Sequence, residues 1–339
     1  MKARVGNAAR LRKLFLVSTV RGGRYRFATR ELRRCVFGAL VLSLTAGCTT
    51  STAAPAPTST PKATAGALGG ARRSSVVTYA SAPKAVQTVL DHTGLEPVVE
   101  TTGAKLAVGH HVVVAGDVDP SDLSAMAQVG DDAVDEVDQL TGLSVHGRVL
   151  ILAPATEAEY LAWGGAGFTD AWGITRYLAW KGAQTWITLN LATGGLDAGT
   201  LKADQPLLVH VIDHEMFHAL TLKPSGRGKA PLWLTEGFAA LAGQQQATVW
   251  PRTPPTRVTL PTDTQVRTDT YGYFLAWQFV VFVERRVGQA RAMRFYFAAV
   301  SPRRHSTLNA LSNRYLKASL ATLASRWKHA YRKHGPIGI

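Results

Sequence analysis

Residues 207–220 read LLVHVIDHEMFHAL. The stretch is apolar and holds neither Gly nor Pro, so it predicts a helix, which the flanking pattern extends to 203–222. Within it stands His214-Glu215-Met216-Phe217-His218, an HExxH motif. Residues four apart share one face of a helix, so His214 and His218 present two imidazoles to a single ion. Glu215 sits one residue round. It reaches a water at the ion's open position without ligating the ion itself.

A catalytic zinc takes three protein ligands and keeps one position open. Gly at 221 with His at 224 would complete one common arrangement, but Thr221 and Pro224 occupy those positions. A second helix, expected over 232–246, carries Trp233-Leu234-Thr235-Glu236-Gly237-Phe238-Ala239. Glu236 follows His218 by 18 residues, and Lys223-Pro224-Ser225-Gly226-Arg227-Gly228-Lys229 between them reads as a loop. One helix ends, the chain turns, and the next helix returns Glu236 towards the first. His210, one turn before His214, lies a helical pitch too far along to join them. It reads as a packed residue or one standing behind the ligands.

HExxH followed at this distance by W-L-x-E-G-x-A resembles the gluzincin peptidases, in particular the bacterial peptidase MA-like domain. The likeness covers about residues 108–335 and takes in the RVLILA stretch at 148–153, Trp172-Gly173, Ile187-Thr188-Leu189 and YFLAWQFVVFVERRVG at 273–288. It implies one Zn2+ per chain, held by His214, His218 and Glu236, with Glu215 as general base. It also implies a tyrosine beside the oxyanion. Tyr273 fits that role by its spacing to Gly288, and Tyr271 is the alternative. Both belong to an aromatic run with Phe274, Trp277 and Phe282 that equally suits core packing. One departure stands out. Some gluzincins place an acid four residues after the glutamate ligand to orient a histidine; here that position is Ala240, which leaves Asp213 as the candidate for the task.

Outside this region, β-branched and apolar runs predict strands at 76–80, 110–118, 148–153 and 185–191. Helical spacing predicts helices at 83–92, 121–140 and 157–163. Beyond residue 200 only helices are expected, at 203–222, 232–246, 270–287, 291–300 and 319–334. This is an α+β pattern: an N-terminal mixed β-sheet with helices, then a C-terminal helical half carrying the HExxH…E site, zincin-like as the resemblance implies. The family also suggests that the 185–191 strand pairs with an extended substrate. Trp172 and Trp233 read as packing, and His110 and His111 as strand residues.

The N-terminus reads as an export signal. Residues 1–34 are basic, Cys35 to Leu44 (CVFGALVLSL) is a short apolar run, and Thr45-Ala46-Gly47-Cys48 follows. The run is too short to span a bilayer comfortably. Leu44 to Cys48 resembles a bacterial lipobox, with Thr45 where Leu is usual, and so implies a lipid on Cys48. Residues 49–75, rich in Thr, Ser, Ala, Pro and Gly, cannot offset the entropy of ordering and read as a tether. The expected organisation is 1–48 export signal, 49–75 linker and 76–339 peptidase MA-like domain. Both cysteines precede residue 50, so the body has no disulfide or thiolate metal site, and a metal there must use His and carboxylates.

The net charge of +15 is unevenly placed, because residues 1–47 hold eleven Lys/Arg and one acid. The remainder is only +5, with no nucleic-acid-binding motif, so nucleic acid is not an expected partner. Arg285, Arg286, Arg291, Arg294, Arg303 and Arg304 form a basic cluster, read as a solvated face or a contact for anionic lipid. Together these features predict an extracytoplasmic zinc peptidase, lipid-anchored through Cys48, acting on peptides or proteins of the cell envelope. Two other readings remain open: a non-catalytic scaffold lipoprotein that keeps the fold, and a hydrolase of a cell-wall amide. Glu215 separates the enzyme from the scaffold, since a metal-only site needs no base beside its ligand.

Overall fold

A computed structural model of the chain describes residues 75–93, 103–144, 147–168, 171–178, 184–192, 196, 199, 201–203, 205–222, 228, 230–243 and 255–337. The chain divides into the units Met1–Gly70 and Ala71–Ile339, and every described residue lies in the second. The expected export signal, Cys48 and nearly all of the tether therefore lie outside the described residues. Ser75, the last tether residue, already opens the first strand. No helix among the described residues is long and apolar enough to cross a membrane.

The architecture is mixed α/β, with one six-stranded sheet and a larger share of helix. The strands are β1 (Ser75–Thr78), β2 (Lys105–Val108), β3 (Val112–Gly116), β4 (Val149–Ala153), β5 (Gly173–Leu178) and β6 (Gln184–Leu189), in the spatial order β1-β2-β3-β4-β6-β5. β3 runs parallel to β4 and β4 to β6, while β1, β2 and β5 pair antiparallel with their neighbours. The central strands VVVAG and VLILA are apolar on every residue because both faces of the sheet are covered. Val112, Val114 and Ile151 face the larger core, whereas Val113, Leu150 and Leu152 face a smaller one. The smaller core includes Val86 and Leu90 of α1 (Lys84–Thr93) and Trp163.

α2 (Pro120–Thr141) starts where Asp119 accepts from the Ser121 amide and Pro120 takes the first turn. It stops at Gly142, whose φ of 70° is the left-handed cap conformation. α3 (Glu157–Tyr160) opens with a capping box between Thr156 and Glu159 and runs into a π turn, Leu161–Gly165. The helical half follows: α4 (Pro206–Thr221), α5 (Leu232–Ala242), α6 (Asp263–Thr268), α7 (Thr270–Val287), α8 (Gln289–Val300), α9 (Leu308–Leu311) and α10 (Leu320–His334). α4 lies between α2 and the β5–β6 end of the sheet. It buries residues on all sides, as a central helix does.

Three expectations need correction. β6 is not an edge: it pairs with β4 on one side and β5 on the other, so the described edge strand at this end of the sheet is β5. His110 and His111 are not strand residues but form the bend before β3. The Asp131 carboxylate holds that bend by accepting from the amides of His110, His111 and Val112 at 2.8, 2.7 and 3.2 Å. The 185–191 strand also ends two residues early, at Leu189.

Candidate metal centre

α4 and α5 bring the expected ligands together. His214 Nε2 lies 3.2 Å from Glu236 Oε2, and His218 Nε2 lies 3.3 Å from the same oxygen. One donor atom from each residue falls within 4.8 Å of the other two, so the three can hold a metal ion. Bonds of ~2.0–2.1 Å from a tetrahedral metal place neighbouring donors about 3.3 Å apart. The imidazole-to-carboxylate spacings match that edge, and a two-histidine, one-carboxylate set suits zinc. The side chains keep 13%, 9% and 13% of their surface for His214, His218 and Glu236, enough for access from one side.

Two glycines make this convergence sterically possible. A Cβ on Gly237 would come within 2.7 Å of the Ala276 carbonyl oxygen and of Val280 Cγ2. The residue after Glu236 is therefore glycine so that α5 can press against α7. A Cβ on Gly173 would stand 2.9 Å from Val211 Cγ1 and 3.1 Å from Glu215 Cγ. β5 can thus lie directly under α4.

That strand also grips the helix by hydrogen bonds. Alternate residues of a strand face one side, and here Gly173, Thr175 and Tyr177 face α4. Thr175 Oγ1 is 2.7 Å from Glu215 Oε2 and 3.0 Å from the Glu215 carbonyl oxygen, with one proton to donate between them. Tyr177 donates to the His218 carbonyl at 3.0 Å. The opposite face carries Arg176, which donates to the carbonyls of Gly164 and Ala166 and lies over the Phe168 ring. Thr175, Arg176 and Tyr177 were absent from the candidates drawn from sequence. Their signal was only a short alternating stretch interrupted by an arginine.

Of the two candidate tyrosines, Tyr273 faces the site. Its ring centroid lies 6.4 Å from that of His214. The Glu236 charge, with burial behind it, holds the phenol well above its usual range. Tyr271 is 37% exposed, and Phe274 and Trp277 are buried in the core. Trp233 packs edge-on against Phe279, as expected, whereas Trp172 is 37% exposed at the start of the edge strand and is no core residue. His210 packs where α5 ends, its Nδ1 3.3 Å from the Gly243 carbonyl oxygen. Burial and the neighbouring His214 lower its pKa to about 4, so it stays neutral.

Burial alone would raise the Glu236 pKa and lower that of His218. Their mutual attraction outweighs it in both, lowering Glu236 and raising His218. A cation placed between them would act on the same carboxylate.

Asp213 does not orient a ligand. It is buried against α2, and among the described residues its Oδ2 has no hydrogen-bond partner, nor has the buried His218 Nδ1. Ala240 is buried in the core. Burial, then the charges of Glu136 and Asp132, push the Asp213 pKa up to about 8. A carboxyl whose folded pKa exceeds its unfolded value contributes stability that is complete below about pH 4 and is lost as pH rises through 8. Asp213→Asn is therefore expected to stabilise the metal-free protein by on the order of 2 kcal/mol at pH 9. The gain should vanish by pH 4, as read from urea unfolding at both pH values.

No model of a known protein family matches the chain, and no curated protein matches it.

Proposed function

We propose that the chain is a zinc-dependent peptidase of the gluzincin kind, with a zincin-like fold, working outside a bacterial membrane. The observation that carries this reading is the Glu236 oxygen standing one tetrahedral edge from both imidazoles of an HExxH helix. Zinc held there supplies Lewis acidity to a scissile carbonyl and makes water more acidic.

The chain's own groups do the rest. His214, His218 and Glu236 fix the ion and leave one side open. Glu215, beside the ligands and 8% exposed, is the general base. Its Oε2 is occupied by Thr175, so Oε1 takes the proton of the attacking water and returns it to the leaving amine. The Tyr273 hydroxyl, next to the ligand set, donates to the oxyanion that develops on the substrate. β5, paired on its described side only with β6, offers its open edge to an extended peptide. A scaffold has no use for a carboxylate clamped beside the metal ligands, and the Thr175–Glu215 bond therefore favours the enzyme over the scaffold.

The direct test is cleavage of a mixed peptide library by the purified chain with one equivalent of zinc. Cleavage that a chelator abolishes and zinc restores is the expected result. Intact peptides despite a bound zinc would replace the enzyme with the scaffold. Within this reading Thr175 is a positioning residue. Thr175→Val keeps the shape and the strand preference but loses the hydroxyl. It is expected to lower kcat by on the order of 10-fold to 100-fold with KM and zinc content unchanged, while Thr175→Ser recovers most of the rate.

A further inference from the structure

Residues 285–339 contain twelve Lys/Arg and no Asp or Glu, whereas residues 49–284 contain fifteen Lys/Arg and twenty-two acids, a net of −7. The body is therefore strongly polarised, a feature its net +5 conceals. The basic segment folds into α8, α9 and α10 and begins with the last turn of α7. Arg285, Arg286, Arg291 and Arg294 crowd the α7–α8 corner, and all four are exposed. On α10, Leu323, Trp327 and Tyr331 form the buried stripe, and exposed Arg332 and Lys333 stand on the other side. Trp327 packs on Phe279 of α7 at 5.4 Å between ring centroids, which joins the two basic groups into one helical assembly. Among the described residues none of these six cations forms an ion pair.

Helix-end capping explains part of this arrangement, since cations favour the last turn. It does not explain Arg291 and Arg294, which lie in the first half of α8, or the absence of any acid over 55 residues. The partner is therefore anionic. Single-stranded nucleic acid would need well-exposed aromatic rings for stacking, but Phe295, Tyr296, Trp327 and Tyr331 are buried, and Phe297 and Tyr315 are only partly exposed. Separate exposed cations, with no large apolar side chain exposed among them, suit a diffuse sheet of headgroups. We propose that this C-terminal helical face docks on an anionic phospholipid membrane. The choice of lipid rests on the export-signal reading, which brings the body to a membrane, and not on the peptidase reading. Docking is electrostatic and inserts nothing.

The test uses the full chain with Cys35→Ser and Cys48→Ser, so that no acyl chain is attached, and with exposed Ala290→Cys as the one labelling site. Energy transfer is measured from a dye at 290 to headgroup-labelled vesicles of phosphatidylglycerol and phosphatidylcholine. Transfer is expected with these vesicles, not with phosphatidylcholine alone, and should fall steeply with added salt. Each cation near a charged bilayer is worth about fivefold in partition. Neutralising Arg285, Arg286, Arg291 and Arg294 to Gln should therefore weaken docking by about a hundredfold or more. Neutralising Arg24, Arg26, Arg30 and Arg33 controls for the basic leader and should cost less transfer at 290. Docking at 290 that survives the first set of substitutions, or transfer lost only with the second, overturns the proposal. So does polyuridylate that binds this face as tightly as the vesicles and competes with them.

Discussion

Glu236→Ala is expected to abolish zinc binding at the centre. The carboxylate is the only group that α5 contributes, and its Oε2 contacts both imidazoles. Losing a group that merely orients a ligand costs ~10–100-fold in metal affinity, and losing a ligand costs more. The loss is visible in folding as well as in metal content. Zinc at a thousand times its dissociation constant stabilises the native state by about 4 kcal/mol. The wild-type chain should show that gain in thermal unfolding, and Glu236→Ala should show almost none. Glu236 raises the His218 pKa, so protons compete with the metal at that imidazole over a wider pH range than at a free histidine. Zinc affinity of the wild type should therefore fall as the solution is acidified. Calorimetric titration across that pH range checks the slope.

Glu215→Gln separates the base from the ligands. Glutamine keeps a carbonyl oxygen, which can still accept from Thr175 Oγ1 where the carboxylate accepts at 2.7 Å. Its amide nitrogen then takes the position of the free oxygen and cannot accept a proton. Zinc content and the zinc-dependent thermal shift should match the wild type. Peptide cleavage should fall by on the order of 100-fold to 10,000-fold. Equal cleavage by both forms would remove Glu215 from the chemistry while leaving the metal site intact. Loss of zinc in the variant would mean that Glu215 is a ligand.

The parts of this arrangement that were legible in the sequence are those set by one helix at a time. A Gly- and Pro-free apolar run makes α4, and the i, i+4 rule then puts His214 and His218 on one face. A loop of Lys, Pro, Ser and Gly followed by an apolar stretch implies the return of Glu236. The strands were less legible. β3 and β4 are buried on both faces and read as unbroken apolar runs. β2 has four residues, too few for a pattern. β5 hides its periodicity because both of its faces carry polar groups, Thr175 and Tyr177 on one and Arg176 on the other, whose polar atoms are satisfied by Glu215, His218 and Gly164. Local pattern fails where a strand serves the site instead of the core. Misassigning the sheet edge to β6 follows from that omission. The roles of Tyr273 and Asp213 depend on which way a helix is turned against its neighbours. That is a property of packing, which spacing alone does not contain.

X-ray absorption at the zinc edge, on the chain carrying one equivalent of zinc, tests the centre most directly. The account predicts two imidazole nitrogens and one carboxylate oxygen at ~2.0–2.2 Å with one further oxygen from solvent, and loss of that shell in His218→Ala. A shell of oxygens only, or a spectrum unchanged when His218 or Glu236 is replaced, would show that the ion binds elsewhere.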